Sequence, residues 1–141
     1  NLNFPMDFLK DNEFDIVISS LVIHYVKDLR SLFSEFNRVL KTGGELIIST
    51  HHPLLDYSLH PDGNYFDTEL LTDEWPGYNI EMKFYRRPLS ELFNLFGETD
   101  FRIKELSEPQ PLKELESIHQ DTFRKLSCTP WFIFFKAVKE K

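Results

Sequence analysis

Three histidines are the side chains best suited to chemistry: His24 and the adjacent pair His51 and His52. A neutral imidazole with a pKa of about 6.5 can take a proton from a bound nucleophile at ordinary pH, so each is a candidate catalytic base. The same residues can line a substrate pocket or serve structure. No metal site is expected, because neighbouring side chains in extended chain point to opposite sides and neither H-x-x-x-H nor H-E-x-x-H spacing occurs. Arg86-Arg87 is a second feature: a guanidinium pair suits a substrate carboxylate or phosphate, and equally suits ion pairs with Asp67, Glu81 or Glu91. Cys128 is the single cysteine, which rules out an internal disulfide or a thiolate zinc cluster. Only Arg124 and Lys125 lie close enough in sequence to lower its pKa, and an inert thiol is expected.

The elements that must position these residues follow from periodicity. FDIVISSLVI, Phe14 to Ile23, is a near-continuous apolar run, as in a central parallel strand covered on both faces. Asp28 stands as an N-cap before Leu29, Leu32, Phe33, Phe36, Val39 and Leu40 at helical spacing, and Gly43-Gly44 stops that helix. Glu45 to Thr50 is a second buried strand, which completes a right-handed βαβ unit. From His51 to Arg87 the pattern breaks at Pro53, Pro61, Asp62-Gly63-Asn64 and Pro76-Gly77, with one alternating stretch at Ile80, Met82 and Phe84. A long aromatic loop region of this kind serves either as a pocket wall or as a satellite core. Pro88 opens a short helix ended by Gly97, Phe101 to Leu106 reads as a peripheral strand, Leu112 to Leu126 as one amphipathic helix, and Trp131 to Val138 as an interior strand.

The 141 residues carry 16 basic and 23 acidic side chains, a net charge of −7 that disfavours nucleic acid as an electrostatically held partner. No apolar run approaches the roughly 20 residues of a membrane span, and the N-terminus lacks a signal-peptide pattern, so a cytoplasmic protein with no membrane partner is expected.

The run FDIVISSLVIHYVKDLRSLFSEFNRVLKTGGELIISTHHP resembles the fourth strand, following helix and fifth strand of class I S-adenosylmethionine-dependent methyltransferases, in the manner of methyltransferase type 11. Its most specific piece is R-V-L-K-x-G-G at Arg38 to Gly44. FYRRPLSELF, SEPQP and TPWFIFFKAVK resemble the C-terminal third of a small-molecule subgroup. The implied fold class is α/β, the C-terminal half of a Rossmann-like sheet with an antiparallel edge hairpin and an aromatic lid. Its expected stretches are 1–50 (βαβ segment), 51–87 (lid and substrate region) and 88–141 (helix plus C-terminal strands). None of the five glycines forms the family's E/D-x-G-x-G turn. The chain is therefore expected to be a portion lacking the cofactor motif and inactive by itself, with a non-catalytic interaction module as the alternative.

The resemblance also implies site residues. Asn1 and Leu2 fall where the adenine of S-adenosylmethionine is contacted; Ser19, Ser20 and Leu21 fall where its methionine portion lies, with His24 beside them. Ligands of open α/β sheets bind outside the carboxyl ends of strands, so Tyr25, His51, His52, Tyr65, Trp75, Tyr85 and Arg86 are the expected walls for a small-molecule methyl acceptor. An unpaired Phe14–Ile23 edge would further imply a homo-oligomer, or association with a missing N-terminal half.

Overall fold

The computed structural model describes residues 6–75 and 80–141, with Trp75 as backbone alone. Strand β1 (Phe14–Ser20) leads through a single 3-10 turn (Ile23–Tyr25) to α1 (Leu29–Val39) and β2 (Leu40–His51). The Asp28 carboxylate accepts from the Ser31 N–H at 3.0 Å, which satisfies a donor that the helix itself leaves free. At the other end of α1 the buried Lys139 ammonium donates to the carbonyls of Asn37 and Leu40, 2.8 Å each, and to Asn12 Oδ1 at 2.9 Å. The helix stops at Leu40, four residues before Gly44, because the chain enters β2 there. Gly43 sits at φ +79, and a Cβ on Gly44 would lie 2.8 Å from the Lys41 carbonyl, so both glycines serve the excursion between the Phe14–Leu40 and Ile16–Glu45 pairings. Arg38 of the same motif pins the N-terminal segment through Glu35, Asp11 and the Leu9 and Met6 carbonyls.

Four strands form one sheet in the order β1, β2, β6 (Phe132–Lys139), β5 (Phe101–Ser107). β1 is parallel to β2, and the other pairings are antiparallel. Along β2 and β6 the alternate residues Leu46, Ile48, Ile133, Phe135 and Ala137 are essentially without solvent exposure. They meet Leu32, Phe33 and Phe36 of α1 and Leu92, Leu95 and Phe96 of α3 (Leu89–Glu98) in one hydrophobic cluster.

Several expectations change here. The first strand ends at Ser20 rather than Ile23, because Leu21 takes φ +52 and turns the chain. It is covered on one face only: Ile16 and Ile18 are 50% and 69% exposed. The half-sheet reading is corrected, since a single Rossmann-like sheet takes strands from near both ends of the chain and encloses its own core against α1 and α3. The expectation of association with a missing N-terminal half is corrected with it.

The segment after β2 is more ordered than its prolines suggest. Pro53–Leu59 forms α2, with Pro53 in the first turn and His52 as N-cap, its Nδ1 accepting from the Leu54 N–H at 3.0 Å. β3 (Glu69–Trp75) and β4 (Ile80–Arg86) pair as a separate antiparallel hairpin where only one strand was anticipated. The expected single helix over 112–126 is two, α4 (Glu114–Ile118) and α5 (Gln120–Cys128), broken at His119 and without a buried residue in either. Among the described residues no helix is long and apolar enough to cross a membrane.

Candidate functional site

The carboxyl ends of β1 and β2 lie side by side, and the polar residues Ser19, Ser49 and Thr50 near them are buried. The Leu21 N–H donates to the Ser49 carbonyl at 2.9 Å, and the Ser49 hydroxyl lies 3.2 Å from the Ser20 hydroxyl. Ser19 is buried, and its hydroxyl has no hydrogen-bond partner. A leucine at positive φ costs on the order of 1–2 kcal/mol, and such strain clusters where a chain is shaped for a ligand. An orphaned hydroxyl beside it marks the same place.

Next to this end, the 3-10 turn and β2 bring two imidazoles together. The rings of His24 and His51 are stacked, with centroids 4.0 Å apart and planes 15° apart; Tyr25 tilts against His24 at 4.1 Å. His24 Nδ1 lies 3.2 Å from the Thr50 hydroxyl, while its Nε2 is buried without a partner. His51 Nδ1 is 3.3 Å from Asp56 Oδ1 of α2. Tyr85, Arg87 and Leu92 complete the wall of a cavity of about 10 Å³, room for one water-sized group. Arg87 is buried, donates to the Val26 and Lys27 carbonyls at 2.6 and 2.8 Å, and has Glu91 Oε1 at 3.2 Å.

Burial pushes the His24 pKa down to about 3, with the charges of His51 and Arg87 adding to the effect. The folded protein thus holds His24 neutral, while the unfolded chain binds that proton below about 6.5. Between those values the unfolded state carries more protons, so stability is full above the upper one and falls as pH drops toward the lower. The slope from this residue reaches ~1.4 kcal/mol per pH unit. Urea unfolding at a series of pH values should show that acid limb, and His24→Gln should flatten it; an identical limb in the variant would assign the acid sensitivity elsewhere.

Of the sequence-derived candidates, His24, Tyr25, His51 and Tyr85 gather here, and Ser19, Ser20 and Leu21 end the adjoining strand. His52 has both ring nitrogens engaged, one by the Leu54 N–H and the other with Glu108 Oε1 at 2.8 Å, so it ties α2 to the segment before α4. Tyr65 packs on Tyr57 and Phe66, and its hydroxyl accepts from the Leu89 N–H. Arg86 turns away from the cavity into the loop before β3, bonded to the carbonyls of His60 and Asp62 and to the Glu69 carboxylate. Arg87 takes the cavity side instead. Asn1, Leu2 and the Trp75 side chain lie outside the described residues. Asp56 and Thr50 line the cavity without having been singled out from sequence. The clue available for Asp56 was its spacing of five from His51 across a proline that starts a helix. Among the described residues no group of three His, Cys, Asp or Glu could hold a metal.

A parallel βαβ unit with its ligand crevice at the strand ends defines the Rossmann-like class, and the comparisons make that class specific. Residues 4–48 match the family model described as a methyltransferase domain. An S-adenosylmethionine-dependent methyltransferase from Mesorhizobium loti superposes with a TM-score of 0.80 at 22% identity, over 98% of this chain and 66% of that one. Phosphoethanolamine N-methyltransferase 2 of Haemonchus contortus, solved with S-adenosyl-L-methionine, gives 0.55 at 22% identity over 94% of this chain and 35% of its own. An uncharacterised Haemophilus influenzae protein is 25% identical over 93% of this chain, and the chain spans 56% of that relative's length. The fold is therefore that of the S-adenosylmethionine-dependent methyltransferases, and residues 4–48 match their domain directly.

These matches overturn the reading of the chain as a C-terminal remnant. The family model matches residues 4–48, and the Mesorhizobium loti structure shares the fold over nearly the whole chain. The absence of a glycine-rich turn from these residues is thus no ground for an inactive fragment. Nothing in the fold or the matches supports a non-catalytic interaction module.

Proposed function

We propose that the protein transfers a methyl group from S-adenosylmethionine to a small-molecule acceptor, at the shared carboxyl ends of β1 and β2. One observation carries the reading: on a methyltransferase fold, an orphaned buried hydroxyl, Ser19, lies beside a crevice with two stacked imidazoles. When bound, the cofactor supplies a methyl group already activated on a sulfonium, so the protein need not provide a nucleophile. Ser19 and the polar turn at Ser20 and Leu21 fit the polar methionine end. Across the crevice, His51, stacked on the neutral His24, offers an acceptor nitrogen for the proton that a hydroxyl or amine acceptor loses. Leu92, Tyr85 and Ile23 narrow the space.

Calorimetric titration of the protein at its natural length with S-adenosylhomocysteine tests the reading. Micromolar binding is expected. Ser19→Ala should weaken it by about threefold to tenfold, the worth of one hydrogen bond. Absence of heat, or a Ser19→Ala affinity equal to the wild type, would refute the assignment.

A further inference from the structure

We infer that Asp56 is a positioning residue that holds His51 in the Nδ1–H form, making Nε2 of His51 the atom that receives the acceptor's proton. Its purpose rests on the methyl-transfer reading; its geometry stands apart from it.

Asp56 is 5% exposed. A carboxylate removed from water without a partner is costly. The nitrogen that faces it is His51 Nδ1, at 3.3 Å, and that nitrogen is itself buried without an aligned partner. An orphaned imidazole nitrogen thus faces a largely buried carboxylate just outside hydrogen-bond alignment, a common state of catalytic pairs before a ligand tightens them. A proton on Nδ1 satisfies both at once.

The groups packed around His51 favour the same assignment. From the 3-10 turn His24 is neutral and tied to Thr50; from β4 and β6 the rings of Phe84 and Phe132 are uncharged. Arg87 is cationic but turned to two carbonyls and Glu91. Among the described residues, Asp56 is the one anion directly against the ring. α2 sets this geometry: His52 caps it and Pro53 begins it, which places Asp56 on the first turn, beside the side chain that leaves β2.

The acceptor class follows. A pair built to free Nε2 serves an acceptor that carries a removable proton, a hydroxyl or an amine. That proton passes to Nε2 as the acceptor's lone pair forms the new bond to the methyl carbon, and the electron pair of the broken carbon–sulfur bond stays on sulfur. The imidazolium then releases its proton to water.

Long-range proton–nitrogen correlation spectra of histidine-labelled protein read the tautomer directly. In the wild type, neutral His51 is expected as Nδ1–H. Asp56→Leu should move the ratio toward Nε2–H by about tenfold or more, the strength of a charge-assisted hydrogen bond, and Asp56→Glu should largely restore it. Should Asp56→Leu not fold, Asp56→Asn is read for the same displacement. A wild-type ring that is mainly Nε2–H, or a ratio unmoved by the substitution, would overturn the inference. S-adenosylhomocysteine titrations run on the same samples separate the two failures. Retained binding with an unmoved tautomer sinks only the Asp56 role, whereas absent binding in the wild type sinks the methyl-transfer reading and leaves the tautomer result standing.

Discussion

Arg86→Met is expected to destabilise the protein by about 2–4 kcal/mol, and to do so through the hairpin. Arg86 is fully buried, donates to the carbonyls of His60 and Asp62, pairs with Glu69, and lies 5.3 Å from the centre of the Tyr57 ring. Methionine fills much of the volume but leaves two carbonyls and a carboxylate without a donor. Because Glu69 is 36% exposed, water takes over part of its share, which keeps the cost below that of a wholly buried pair. Gly63 shows how tight the junction is: at φ +102, a Cβ there would come within 2.9 Å of Arg86 Nη2. Hydrogen exchange should quicken at β3 and β4 amides and in residues 60–63, with the β2–β6 pairing unaffected. A urea midpoint equal to the wild type would mean that Arg86 is not what fastens the hairpin.

Phe33→Ala should cost more, about 3–5 kcal/mol, because it removes a ring from the middle of the hydrophobic core. Phe33 is 1% exposed and makes edge contacts with Phe96 at 5.1 Å and Phe101 at 6.4 Å, so it joins α1 to both α3 and β5. The urea midpoint should fall with little change in the slope of the transition. Phe33→Leu should lose less, since the cavity left behind is smaller. Equal losses for alanine and leucine would place the energy in the ring–ring geometry and not in filled volume.

How far the sequence revealed this molecule depended on which interactions are local. α1 was legible because Asp28 caps it and its apolar residues recur at helical spacing, both properties of neighbouring residues. β2 and β6 were legible because their inward faces are apolar along most of their length. α2 was not, since PLLDYSL is only seven residues between Pro53 and Pro61 and its stability comes from His52 and from packing. The choice between Arg86 and Arg87 was beyond sequence: adjacent residues at a strand end point to opposite sides, and only the hairpin's register decides which reaches the cavity. Nor did anything local announce that Leu21 would take a left-handed turn or that Asp56 would meet His51. The same limit explains the misjudged extent of the fold. A missing glycine-rich turn was visible in the letters, whereas a sheet enclosing its own core is a property of long-range pairing.

A crystal structure of the protein at its natural length with S-adenosylhomocysteine tests the central claim most directly. The account predicts density for the ligand's methionine end at the carboxyl end of β1, within hydrogen-bond reach of the Ser19 hydroxyl, and its sulfur facing the crevice of His24 and His51. Ligand bound at the Gly43–Gly44 end of the sheet, or in the surface cleft lined by Arg30 of α1 and Asn94 and Glu98 of α3, would contradict it.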